Sequence, residues 1–296
     1  MTTILQLVFQ SLFRGLCDRG LRKVLCISLL CCSGAVASDH AQESNPGADA
    51  TVKVCYGKWF PFSYDQPELA GVMVELAREV LSRLGYSAEF HKMAFLRCLN
   101  EVQNQNMTLS PFASAYSLGK LGDNLVAINP SVQYHLPAFF LRSSDPVKDL
   151  SGIEAFAGWE IAALRGNSFA RRHQHNSGIG WIFVNNNPAL WKLLLSYRVD
   201  AFLAEYQSQI LLSDELRQQI RILPPMEAEP LYWAVNREDA QLAQQVGEQL
   251  EQAIDDGTVD TLYRKYFGVS FRDIERMIAS QEFLKIPGPG PVENHP

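Results

Sequence analysis

Between residues 51 and 62 apolar side chains alternate with polar ones through TVKVCY and then give way to the aromatic–proline stretch KWFPF. Period-two alternation of this kind predicts a strand running into a loop. GVMVELAREVLSRLG (71–85) places Met73, Ala77, Val80, Leu81 and Leu84 on one stripe at helical spacing, with a glycine to close it, and predicts an amphipathic helix. AEFHKM then reads as a short strand, FLRCLNEVQNQ as a second helix, and the apolar run ending at SPFAS as a third strand. Strand–helix–strand–helix–strand predicts an α/β layer with a largely parallel sheet.

HLPAFFLRSSDPVKDLSG (135–152) is a strand followed by a polar, proline-containing stretch, and reads as a lobe boundary. The same alternation then restarts. Strand EIAALRG is followed by a helix opening at Asn167-Ser168, strand WIFVN, helix PALWKLLLSYR and strand DAFLAEY. Strand PLYWAVN and a single helical run from QLAQQ to KYFG come last, and the tail IPGPGPVENHP is expected to be disordered.

The N-terminus has a different pattern. Arg22 and Lys23 precede the apolar run VLCISLLCC, followed by Ala35-Val36-Ala37 and a polar stretch. A basic start, a short apolar run and an A-x-A site mark a secretory signal peptide over 1–37, with a flexible mature N-terminus over 38–50. The run is too short for a spanning helix, which needs about 20 apolar residues. Removal of 1–37 takes away Arg14, Arg19, Arg22, Lys23 and Asp18, leaving 22 basic and 31 acidic residues, net −9. That balance argues against nucleic acid as a partner and for a freely diffusing exported protein, which is expected to be a monomer. Of the six cysteines only Cys55 and Cys98 remain in the mature chain. In an oxidising compartment they form either one disulfide or two buried thiols, and spacing alone does not choose.

Candidate chemistry is sparse. Ser117-Leu118-Gly119-Lys120 has the S-x-x-K spacing of serine acyl enzymes, but Leu118-Gly119 predicts poor helix continuation and the companion K-T-G and S-D-N elements are missing. His173-x-His175 has no third ligand nearby and reads as polar surface, with Arg171 and Arg172 solvated beside it. The chain has no P-loop, G-x-G-x-x-G or zinc-cysteine pattern, so no cofactor or metal is expected.

Five collinear segments carry a resemblance: WFPFSY; GVMVELAREVLSRLG; VKDLSG before a strand ending in RGNS; YRVDAFLAEY; and LYWAVNRED with IDDGTVDTLYRKYFG. Over roughly residues 51–280 the chain resembles the family 3 extracellular solute-binding proteins, periplasmic receptors of polar amino-acid ABC transporters. MAFLRCL further resembles a branch of that family with Arg-Cys at that place. The resemblance implies a type II periplasmic-binding-protein fold: two α/β lobes, two crossover strands near 136–142 and 228–232, and a ligand cleft between the lobes. Lobe 1 would comprise 51–136 plus 232–280, lobe 2 would be 142–228, and 281–296 would be tail.

The resemblance also implies the ligand contacts. Trp59 and Phe95 would wall the ligand, Ala113, Ala115, Tyr116 and Lys120 would line the end of a lobe 1 strand and the loop beyond it, and Asn167 and Ser168 would present a helix N-terminus to a ligand carboxylate. Glu205 stands where the family has an aspartate for the ligand's amino group; its carboxylate requires either a ligand cation or an internal partner. Lys120 replaces the arginine that grips the α-carboxylate, Ala115 replaces a hydroxyl residue, and Thr108 occupies a common aspartate position. The standard amino-acid clamp is therefore only partly present. The implied function is capture of a small polar solute, amino-acid-like or an organic acid, for a membrane ABC permease or a sensor, without catalysis. The alternative is a small-carboxylate dehydratase on the same scaffold, with Glu205 as its acid or base.

Overall fold

The computed structural model describes residues 50–65, 67–146, 150, 152–175, 178–283 and 285–287. The expected leader, almost all of the mature N-terminal segment, most of VKDLSG and the end of the tail lie outside them. The first layer is built from β1 (Thr51–Tyr56), α1 (Val72–Arg83), β2 (Ser87–Lys92), α2 (Phe95–Gln103), β3 (Leu109–Ser114), α3 (Ala115–Leu121) and β4 (Leu125–His135). The second contains β5 (Pro137–Arg142), β6 (Glu160–Leu164), α4 (Ser168–His173), β7 (Gly180–Val184), α5 (Asn187–Leu195), β8 (Ala201–Glu205), α6 (Asp214–Gln219) and β9 (Ile220–Ile222). The chain returns through β10 (Glu229–Asn236) and ends in α7 (Ala240–Asp255), α8 (Thr258–Phe267) and α9 (Phe271–Ser280).

Two five-stranded sheets result, in the orders β2-β1-β3-β10-β4 and β7-β6-β8-β5-β9. The chain passes from the first to the second at Leu136 and comes back across 223–228. The two sheets and two crossings make the two-lobed, type II periplasmic-binding-protein fold. Within β5, Ala138 and Phe140 face one apolar cluster while Phe139 and Leu141 face another. Helices and turns cover both faces of such a sheet, and for that reason PAFFLR is an unbroken apolar run. No helix among the described residues is long and apolar enough to cross a membrane.

Several local features depart from the sequence reading. SAYSLGK is a helix, not a loop: Ser114 caps α3 by accepting from the Ser117 N–H, and the Ser117 hydroxyl accepts in return from the Ser114 N–H. This reciprocal cap outweighs the weak propensity of Leu118-Gly119. The expected single C-terminal helix breaks at Gly257, which adopts φ +80°, while Asp256 accepts from the Thr258 N–H and starts α8. Past α9 the tail packs before it leaves the described chain: Phe283 meets Tyr206 edge-on at 5.5 Å, and Ile286 is buried with its N–H on Gln209 Oε1. Two apolar side chains anchor what composition alone marks as disordered.

Cys55 and Cys98 form a disulfide with Cα atoms 5.5 Å apart, tying the end of β1 to α2. Gly71 anchors the aromatic turn beyond β1. At φ +122° its missing side chain lets Phe62 O approach to 2.5 Å of where a Cβ would stand, and the Val72 and Met73 N–H groups bond Pro61 O and Phe62 O. The turn is thereby nailed to the start of α1.

Candidate functional site

Trp59 projects from that turn, closed by its N–H on Ser63 O at 2.8 Å. Its ring centroid lies 4.9 Å from Phe62 and 5.5 Å from Phe112, and the side chain is half-buried. One side of the indole is packed while part stays open, as a stacking wall requires. Phe95, at the first turn of α2, is half-buried and packs on the cluster that contains the disulfide. Ala113 is fully buried in β3, opposite Tyr232 of β10.

Ala115, Tyr116 and Lys120 are exposed on α3. Lys120 Nζ sits 4.7 Å from the Tyr116 ring centroid, and Arg172 Cζ of α4 lies 5.8 Å from the same ring. Two cations, one from each lobe, thus lie within reach of the Tyr116 ring, whose π-face favours them. Ser117, the would-be nucleophile, is buried and donates its hydroxyl to Ser114 O at 2.9 Å. The hydroxyl is used in the cap, and the lysine turns to the tyrosine.

In the second lobe Asn167 caps α4 through its side chain, which accepts from the Ala170 N–H at 2.9 Å. Ser168 reaches across to the end of β4, its Oγ 3.1 Å from His135 Nε2. His135 Nδ1 is 2.6 Å from Glu205 Oε1, and Glu205 Oε2 accepts the Leu136 N–H at 2.9 Å. Both carboxylate oxygens of Glu205 therefore have internal partners. The pair is deep, His135 and Glu205 being 5% and 7% exposed, while Asn167 and Ser168 are half-buried. Burial pushes the His135 imidazole down, but the adjoining Glu205 carboxylate, with Glu229 and Glu227 beyond it, outweighs burial and holds it above its ordinary value.

The sequence reading missed His135, Glu227 and Glu229, and misplaced Arg172. His135 ends β4 and pairs in register with Glu229 at the start of β10. Arg172 is not solvated: it binds Glu227 closely and lies 3.7 Å from Glu229 Oε2, and its buried Nε has no acceptor among the described residues. Arg171, by contrast, is exposed, as is His175, while His173 packs 4.5 Å from the Phe169 ring. Helical phase separates Arg171 from Arg172, but the partners of Arg172 lie about 55 residues on, beyond any local signal.

Residues 52–269 match the family model described as bacterial extracellular solute-binding proteins, family 3. The chain belongs to that family. No curated protein matches this family 3 chain. Among solved structures it is similar to a histidine kinase sensor domain with similarity to periplasmic binding proteins, at 19% identity and TM-score 0.61, covering 74% of this chain and 97% of that one. It is similar to the substrate-binding protein of an amino acid ABC transporter at 16% identity and TM-score 0.60, covering 74% and 99%. It also resembles an ancestral amino acid-binding protein described as a precursor of cyclohexadienyl dehydratase, at 17% identity and TM-score 0.59, covering 73% and 94%. At these identities the likeness is one of fold. As a family 3 protein the chain has a solute-binding role, and the family is extracellular or periplasmic.

Proposed function

We propose that this protein is a periplasmic receptor, released by cleavage near Ala37, that captures a small carboxylate-bearing solute between its lobes and presents it to an ABC permease or a membrane sensor. It works as a monomer, and its two lobes close on the solute by hinge motion at the crossings. One observation carries the choice of solute: Glu205, at the position that would hold an amino group, already serves His135 and the Leu136 N–H. Cationic groups, by contrast, have capacity to spare. Arg172 Nε lacks an acceptor among the described residues, and Lys120 is exposed on the facing lobe. A ligand carboxylate supplies what Arg172 lacks, whereas an ammonium group finds no spare carboxylate at Glu205. Trp59, backed by the buried Phe112, offers an apolar wall for the remainder of the solute. Lys120 supplies charge without the bidentate fork of an arginine, which favours a different acid from the common L-amino acids.

The test is a thermal-shift screen of the mature chain with organic acids, amino acids, polyamines and short peptides. A solute at 100 times its dissociation constant adds about 2.7 kcal/mol. Organic acids are expected to raise the transition, and polyamines are not. Stabilisation by polyamines alone would overturn the choice of class, and no response to any class would overturn the receptor. A second reading, a dehydratase-type enzyme on the same scaffold, draws on the Ser168–His135–Glu205 chain, which sets a proton-carrying group beside the crossings. New product on prolonged incubation with a stabilising acid would favour it.

A further inference from the structure

We propose that His135, Glu227 and Glu229 form a binding site for a divalent transition-metal ion of the Zn2+ type, placed where both crossings meet. A ring nitrogen of His135 and one carboxylate oxygen from each glutamate all lie within 4.8 Å of one another. Backbone register produces this grouping. His135 and Glu229 are directly opposite in the antiparallel β4–β10 ladder, and Glu227 lies two residues before Glu229. Cross-strand partners hold their Cβ atoms about 4.5–5.5 Å apart. A tetrahedral ion with ligand bonds of about 2.0–2.2 Å spaces its ligand atoms about 3.3–3.6 Å apart. Closing the remaining ångström needs rotamer changes in two flexible glutamates and no backbone shift.

The chemistry around the histidine is that of a ligand. Glu205 engages Nδ1 at 2.6 Å and is itself fixed by the Leu136 N–H, which leaves Nε2 for an ion. A carboxylate behind a metal-bound histidine sets its tautomer and raises its basicity. Ser168 Oγ, 3.1 Å from Nε2, yields that nitrogen by rotating about χ1. Charge points the same way: three carboxylates, Glu205, Glu227 and Glu229, converge on one histidine and one arginine. Glu229 Oε2 is buried without a hydrogen-bond partner among the described residues. Gln133, one step along the same face of β4 and fully buried, leaves both its amide atoms without partners there. Its carbonyl can bond to a metal-bound water. One imidazole and two carboxylates select a borderline ion over the all-oxygen set that Ca2+ or Mg2+ prefers. Arg172 is the resident competitor and must release Glu227 when the ion enters. The metal ligands are separate from the proposed solute contacts, but the two sites share Arg172, which the ion would release from Glu227 and which the solute carboxylate would engage.

The experiment is calorimetric titration of ZnCl2 into the metal-stripped mature chain, with Co2+ absorption as a second readout. Saturable 1:1 binding is expected, weakened at least tenfold in both His135→Ala and Glu229→Gln. Glu205→Gln, which keeps every ligand but loses the orienting carboxylate, should weaken it about 10–100-fold. Arg172→Ala should tighten it, because the competing cation is gone. His173→Ala/His175→Ala should leave it unchanged. If His135→Ala does not fold, Glu229→Gln and the Co2+ spectrum decide. No saturable Zn2+ binding overturns the proposal, as does binding that survives Glu229→Gln or disappears with His173 and His175.

Discussion

Loss of the Cys55–Cys98 cross-link is the perturbation whose size follows most directly from the structure. The bond closes a loop spanning 43 residues that holds the Trp59 turn, α1 and β2. Its two sulfurs are buried, and α2 packs on β1 and β3 through Cys98, Leu99 and Val102. In the chain-entropy description, closing a loop of that length removes about 13 cal/mol/K from the unfolded chain, or about 4 kcal/mol near ~25 °C. For a folded body of about 230 residues this lowers the melting temperature by about 8–16 °C. The comparison is the oxidised mature chain against Cys55→Ala/Cys98→Ala, followed by circular dichroism during heating. The oxidised chain should also show no free thiol when alkylated under denaturing, non-reducing conditions. A double variant melting within about 2 °C of the oxidised chain would refute the entropic reasoning. Two free thiols per mature chain would refute the bond.

Three further outcomes follow from particular contacts. Gly71→Ala pushes a Cβ into Phe62 O at a positive φ, so it should cost about 2–3 kcal/mol in urea denaturation and displace the Trp59 turn, read as a changed indole emission. Glu205→Ala leaves the Leu136 N–H and His135 Nδ1 without their buried acceptor, and should lower stability by about 3–5 kcal/mol, whereas loss of an exposed, solvent-screened pair such as Arg97–Glu101 should leave the unfolding transition essentially unmoved. The Ser270 hydroxyl and N–H hold the Asp273 carboxyl below its ordinary value, so its contribution is present above the usual carboxylate range and fades as pH falls through the depressed value. The gap in melting temperature between wild type and Asp273→Asn should therefore be full at pH 7 and shrink towards pH 3; a constant gap would contradict that origin.

Much of the architecture is legible in the chain because its lobes repeat strongly periodic units. Met73, Ala77, Val80 and Leu81 are buried along α1 as their spacing requires, and the unbroken apolar run of β5 reflects a sheet covered on both faces. Propensity failed where a local hydrogen bond overrode it. The Ser114–Ser117 cap makes a helix of SAYSLGK despite its glycine, and Gly257 with Asp256 divides what periodicity reads as one helix. α9 carries its own Ser270–Asp273 capping box, a local signal that marks a helix start in the sequence. The crossings were the least readable part. His135 and Glu229 become neighbours only through strand register across 94 positions, and nothing local to either residue announces the other. The same holds for Glu205, whose need for a partner was plain although His135 could not be named. Family resemblance implied the two-lobed fold, and side-chain packing alone gave the charged cluster at the crossings.

Solute capture between two lobes makes a demand that a one-sided surface site does not: side chains from both lobes must contribute to the same binding event. The direct test is calorimetric titration of a stabilising organic acid into the wild type, Trp59→Ala from the first lobe and Arg172→Ala from the second. Wild type is expected to bind one solute per chain, and each substitution to weaken binding at least tenfold, about 1.4 kcal/mol or more. Heat of binding that survives unchanged in either variant would contradict a site shared by the two lobes.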